Sequence, residues 1–157
     1  MLWCAEGRST MPYPKKKRKK SVGYDVFLCH NSLDKPAVAR IARELKRRRV
    51  IPWLDEWELR PGVPILQAIE RLIPSVHSAA VIVGGNGVGP WQDVEIYAFL
   101  TECVRRQIPV IPVLLPGSPD PPDLPVMLRG RSWVDFRNSW QGAMSKLIWG
   151  ITGKRRP

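Results

Sequence analysis

Between Gly84 and Glu95 the chain reads G-G-N-G-V-G-P-W-Q-D-V-E, a glycine-rich loop running into an apolar segment of helical period. Trp91 and Glu95 stand four residues apart, the spacing that puts an aromatic plate and a carboxylate on one helix face. A carboxylate so placed can stabilise a developing cation, and an indole can stack on a flat heterocycle. The plainer role of Glu95 is a first-turn charge that offsets the helix dipole. Glycines ahead of a helix can admit a phosphate to backbone N–H groups. This run is not G-x-x-x-x-G-K-[ST], and it follows the third apolar run rather than the first, so neither an ATP-hydrolysing P-loop nor a dinucleotide fingerprint is present. Its other explanation is a connection whose glycines tolerate unusual dihedrals.

His30 is the first polar residue after the first apolar run, whereas His77 precedes the third. Histidine can act as a base. No Ser or Cys nucleophile in a recognisable elbow accompanies His30, which favours a hydrogen-bonding role over catalysis. Trp53, Trp57 and Trp91 fall in or beside the same group of connections, although seven Trp are spread over the chain and each alone is explained by packing. Cys4, Cys29 and Cys103 have neither C-x-x-C nor Cys/His ligand spacing. The expectation is therefore no disulfide framework, no metal site and a reducing, cytoplasmic setting.

The elements that must position these residues follow from the apolar pattern. Tyr24 to Cys29, Val50 to Leu54, Ala79 to Val83, Ile108 to Leu115 and Ser132 to Phe136 are short, branched or aromatic runs bounded by turn residues, as strands are. Helices are expected behind Asp34 as N-cap with Pro36 in the first turn, through Ile65, Ile69, Leu72 and Ile73, through Ile96, Phe99, Leu100 and Cys103, and from about Ser139 to Trp149. Strands alternating with helices imply an α/β fold with a parallel sheet covered on both faces. Pro109 and Pro112 fit poorly inside the fourth strand, because each removes a ladder donor. In such a sheet ligands bind beyond the carboxyl ends of the strands. The connections that matter are then His30 to Asp34, Asp55 to Pro64 and Gly84 to Pro90.

A chain of 157 residues, 44% hydrophobic, supports one domain. Its net charge of +11 belongs mainly to the ends, where Lys15 to Lys20 and Lys154 to Arg156 carry nine cations. From Tyr24 to Gly150 there are 15 Lys and Arg against 13 Asp and Glu. Nucleic-acid binding beyond nonspecific tail contacts is accordingly not expected. The reading is a disordered basic leader over 1–23, one domain over 24–150 and a basic tail over 151–157. Met11 is an alternative start, and P-K-K-K-R-K also looks like a nuclear import signal. No apolar run reaches the roughly 18 to 20 residues that span a bilayer, and no membrane partner is expected.

Three stretches in order, Y-D-V-F-L-C-H-N-S-L-D-K, W-L-D-E-W-E-L-R-P-G and G-P-W-Q-D-V-E, resemble the first conserved box, the second-strand and BB-loop segment, and the W-x-x-x-E helix start of Toll/interleukin-1 receptor (TIR) domains of the bacterial NAD-cleaving type. The resemblance spans roughly Tyr24 to Gly150. It implies a flavodoxin-like fold of five parallel strands with helices on both faces. It also implies an NAD+ glycohydrolase that cleaves the nicotinamide–ribose bond in signalling or defence, with NAD+ as substrate and no cofactor. The product would be ADP-ribose or a cyclic isomer. By the same resemblance Glu95 is the catalytic glutamate, and Trp91, His30, Asn31, Asp55, Trp57 and Leu59 border the substrate. Homotypic self-association would run through the BB loop, with exposed Trp57 and Leu59 beside Arg60 and Gly62, and a separate sensor or effector protein could supply the trigger. Pro64 directly after that loop departs from the pattern. The alternative is a TIR adaptor without enzymatic activity, which needs the fold and the BB loop but not W-x-x-x-E.

Overall fold

The computed structural model describes residues 23–86 and 94–155. The leader up to residue 22, the loop 87–93 with Trp91, and the last two residues lie outside the described residues. Strands β1 (Val26–Cys29), β2 (Pro52–Trp53), β3 (Ala79–Val83), β4 (Val110–Leu114) and β5 (Val134–Asp135) form one sheet in the order β2-β1-β3-β4-β5, every pair parallel. Helices α1 (Lys35–Arg47), α2 (Asp55–Glu58), α3 (Ile65–Leu72), α4 (Val94–Arg105) and α5 (Trp140–Thr152) make the connections. This is the doubly wound, flavodoxin-like arrangement that the alternating pattern predicts.

Side chains alternate between the two faces along each strand. Val26, Leu28, Ala80 and Ile82 pack with Ile41 and Leu45 of α1 and Met144 and Leu147 of α5. Phe27, Cys29, Val81 and Val83 pack on the other side with Ile69 and Leu72 of α3 and Phe99 and Leu100 of α4. Each fully buried Leu, Ile or Val contributes about 1.5 to 3 kcal/mol relative to exposure, so burial on both faces is what holds the short strands in register.

β3 keeps the bounds of its apolar run, and the other four strands are shorter than theirs. Asp34 stands at the N-cap of α1 but its side chain makes no capping bond. The closing helix is capped as its sequence demands: Ser139 Oγ accepts from Gly142 N at 3.2 Å, and Gly153, at φ +67°, ends the helix in the left-handed region. Pro112 is accommodated inside β4 by geometry. Leu115 N donates to Val83 on the β3 side while Leu114 O accepts from Phe136 on the β5 side, so Pro112 turns its missing N–H toward β5. Pairing with β5 begins only at Val113, and no ladder bond is lost.

The connection 55–64 differs from the long loop expected. Its D-E-W-E segment forms α2, too short to show a helical period in sequence. Trp57 is half-buried against the α1-side core with Lys46 Nζ 4.2 Å above its ring. Tyr24 Oη donates to Glu58 Oε2 at 2.8 Å. Since Tyr24 packs with the opposite core, α2 is tied to both sides of the sheet. The expectation of an exposed Trp57 is corrected, because its indole buries apolar area against the α1-side core beneath Lys46. Beyond α2, Val63 N donates to Arg60 O at 3.1 Å with Pro61 and Gly62 between them, and Gly62 has φ +85°. This is a type II turn, with proline and glycine at the positions such a turn favours.

Candidate functional site

The strand order reverses between β1 and β3, so the connections leaving their carboxyl ends diverge and open a crevice. After β1, His30 has a side chain only 5% exposed. Its Nδ1 lies 3.2 Å from Leu28 O, and since a carbonyl only accepts, Nδ1 donates. Nε2 is thereby turned toward Asp55 Oδ1, 3.8 Å away at the start of α2. Asp55 Oδ1 also accepts from Glu56 N at 2.8 Å. Asn31 Oδ1 accepts from Leu33 N at 3.0 Å and caps the 3₁₀ turn Ser32–Asp34, which leaves the two N–H donors of Nδ2 as the groups available to a ligand. The structure thus brings His30, Asn31 and Asp55 to one end of the sheet.

Asp34 stands at the N-cap position that the sequence suggests, but its side chain turns elsewhere than to the helix N–H groups. Its carboxylate is buried at 8% exposure, faces Gly84 at the end of β3, and leaves Oδ2 without a partner among the described residues. Burial pushes the carboxyl above the ordinary carboxylate range, while the nearby His30 and a hydrogen bond from Asn86 pull it down. A Cβ on Gly84 would overlap the Asp34 carboxylate, and one on Gly85 would meet Gly117 O at 2.9 Å. These two glycines are therefore required by close approach, one to a carboxylate and one to backbone. Ser118, beyond β4, is the other buried residue whose side-chain oxygen lacks a partner among the described residues. Buried polar atoms are nearly always hydrogen-bonded. The two exceptions follow β1 and β4, the strands on either side of β3, at the carboxyl end of the sheet. The sequence places Asp34 at the end of the ligand-side connection His30 to Asp34, and its burial against Gly84 is what the structure adds.

Glu95 is the second residue of α4, in its first turn. That helix starts from the connection that leaves the carboxyl end of β3, so its amino terminus belongs to the crevice end of the sheet. Trp91 and the glycines at 87 and 89 lie outside the described residues. Leu59 is half-buried and Arg60 and Gly62 are exposed at the turn beyond α2. Trp57 is committed to the α1-side core. Among the described residues no group of His, Cys, Asp and Glu is placed to hold a metal ion, and no helix is long and apolar enough to cross a membrane.

No curated protein matches the chain in sequence. Among solved structures, the TIR domain of the Toll-related receptor TRR-2 from Hydra magnipapillata superposes with a TM-score of 0.58 at 18% identity, covering 73% of this chain and 86% of that one. A metazoan TIR-STING receptor from C. gigas gives a TM-score of 0.66 at 20% identity over 85% of this chain and 41% of that one. The TIR domains of the activated Roq1 resistosome give 0.54 at 19% identity, over 83% of this chain and 98% of that one. At such identities the likeness carries the fold. Residues 26–148 match the TIR domain family, and with the doubly wound sheet and its crevice already described, the chain belongs to that family.

Proposed function

We propose that this TIR domain cleaves the nicotinamide–ribose bond of NAD+ in a signalling or defence role, with Glu95 as the catalytic carboxylate. The observation that supports the reading best is the place of Glu95, in the first turn of the helix that opens beside the β1/β3 switch point. Around that point lie His30, its side chain nearly buried, and the buried Asp34, whose Oδ2 has no partner among the described residues. The bond from ribose C1′ to the pyridinium nitrogen breaks with its electron pair going to nicotinamide, which departs neutral and needs no acid. The ribose is left as an oxocarbenium ion, which a fixed carboxylate stabilises and holds through the ribose hydroxyls. Water then adds at C1′ and loses a proton to give ADP-ribose, or an internal nucleophile adds to give a cyclic isomer.

Asp55 and Asn31 would orient the substrate from the β1 and β2 connections, and Trp91 would stack on nicotinamide or ribose. Self-association is part of the proposal. The TIR domains of an activated resistosome share the fold, and the exposed Arg60–Val63 turn offers a rigid contact. Incubating the purified protein with NAD+ and measuring free nicotinamide tests the reading. The wild type is expected to release it, and Glu95→Ala to lower the rate by at least 10²-fold, the scale of removing one preorganised charge-stabilising group. The melting temperature should stay put, because a first-turn charge contributes only about 0.3 to 1 kcal/mol. Equal release by both proteins would sink the assignment of Glu95. No release by a folded wild type at any concentration would leave the adaptor reading.

A further inference from the structure

We propose that the groove between α1 and α5, on the face of the sheet opposite α3 and α4, binds single-stranded nucleic acid. A cavity of about 720 Å³ is lined by Arg40, Arg43, Arg47 and Arg48 with Trp140, and a second of about 330 Å³ continues from Arg48 to Trp149. Lys146, Lys154 and Arg155 join the second. Seven cations thus share one groove with a single carboxylate, Glu44. That carboxylate is held below its usual range by Arg48 and Arg47 and fixes both guanidiniums, at 2.9 Å each. Outside the groove the stretch 24–150 carries 10 Lys and Arg against 12 Asp and Glu, so the nearly neutral domain is sharply divided by face. Lys46 and Arg47 complement the carboxyl end of α1, but Arg40 and Arg43 sit too far from it for the helix dipole to account for them.

The aromatic groups decide the class of polyanion. Arg40 lies 3.8 Å above the Trp140 ring, and Arg155 lies 4.9 Å above Trp149, which is 42% exposed. Trp140 packs against the core and Phe136 and holds Arg40 in the groove, so the guanidiniums offer phosphates their counter-charge and the exposed Trp149 offers a base a surface on which to stack. An anionic bilayer fits it poorly. The cations line a concavity, and among the exposed large apolar side chains of the described residues only Trp149 lies there to enter lipid. Lys154 and Arg155, just beyond the end of α5, line the same groove.

Fluorescence anisotropy of the full-length protein with a labelled 20-nucleotide oligothymidylate, across a salt series, tests this. Arg43→Ala/Arg47→Ala should weaken binding about tenfold or more at low salt. It should also flatten the slope of log affinity against log salt by about 1.4, two cations at about 0.7 each for single strands. Arg105→Ala/Arg106→Ala removes the same charge from α4 on the other face, with every tail cation retained, and should change affinity far less. Trp149→Ala should weaken binding without changing the slope. Equal losses from both double variants, or no binding at all, would overturn the proposal. So would a 20-base-pair duplex or anionic vesicles binding as tightly as the oligonucleotide with the same dependence on Arg43 and Arg47.

Discussion

At the scale of single residues, the site is organised by a charge held where water is scarce. Asp34 is ionised at neutral pH only against the cost of burial, which raises its carboxyl above the ordinary range. For a carboxylate raised in the folded state, stability is greatest while it is protonated and falls as pH climbs from the ordinary carboxylate range through the raised one. Asp34→Asn removes that cost and keeps an acceptor for Asn86. The variant should melt higher than the wild type at neutral pH by roughly 2 to 4 °C, with the gain vanishing toward pH 3. Melting curves at several pH values check this, and a gain independent of pH would mean that Asp34 is not the titrating group.

At the scale of elements, α2 is the piece whose role changed between sequence and structure. Trp57 packs against the α1-side core while Glu58 accepts from the Tyr24 hydroxyl; burial, and after it the bond to Glu58 and its charge, pushes the phenol up to about 12. Trp57→Ala should therefore cost about 2 kcal/mol, a part of the 3 to 5 kcal/mol of a fully buried Trp. A lowered melting temperature should accompany any loss of turnover. Gly62→Ala acts differently, for φ +85° strains an L residue by about 1 to 2 kcal/mol although nothing crowds the position. Thermal denaturation of the two variants separates packing from backbone strain. A Trp57→Ala protein that melts with the wild type would return Trp57 to the exposed surface.

At the scale of the whole molecule, assembly and chemistry are expected to be coupled. If the crevice is completed by a second copy, specific nicotinamide release should rise with protein concentration, by mass action. Leu59→Asp should suppress both assembly and turnover while leaving the melting temperature within a few degrees. Light scattering beside the assay decides, and a specific activity constant over a hundredfold dilution of a monomer would refute the coupling. The turn at Arg60–Val63 is the part of the BB segment free for such a contact, since α2 is anchored to its own domain.

The order of strands and helices was legible in the sequence because burial on both faces makes β1, β3 and β4 continuous apolar runs, and helical period survives in α1, α3 and α4. The placement of His30, Asn31 and Asp55 at the carboxyl end of the sheet was legible for a related reason: connections follow strand ends, and strand ends can be read. Three things were not. The sheet order, which decides that Pro112 costs no ladder bond, depends on which strands pair across the fold. The burial of Asp34 against Gly84 depends on two connections 50 residues apart meeting at the switch point. The basic groove joins α1 to α5 across nearly the whole chain. Local pattern fixes what each segment buries, because burial acts through nearest neighbours in the helix or strand. Which polar groups meet at the ends and faces of those segments is decided only when the core has brought them together.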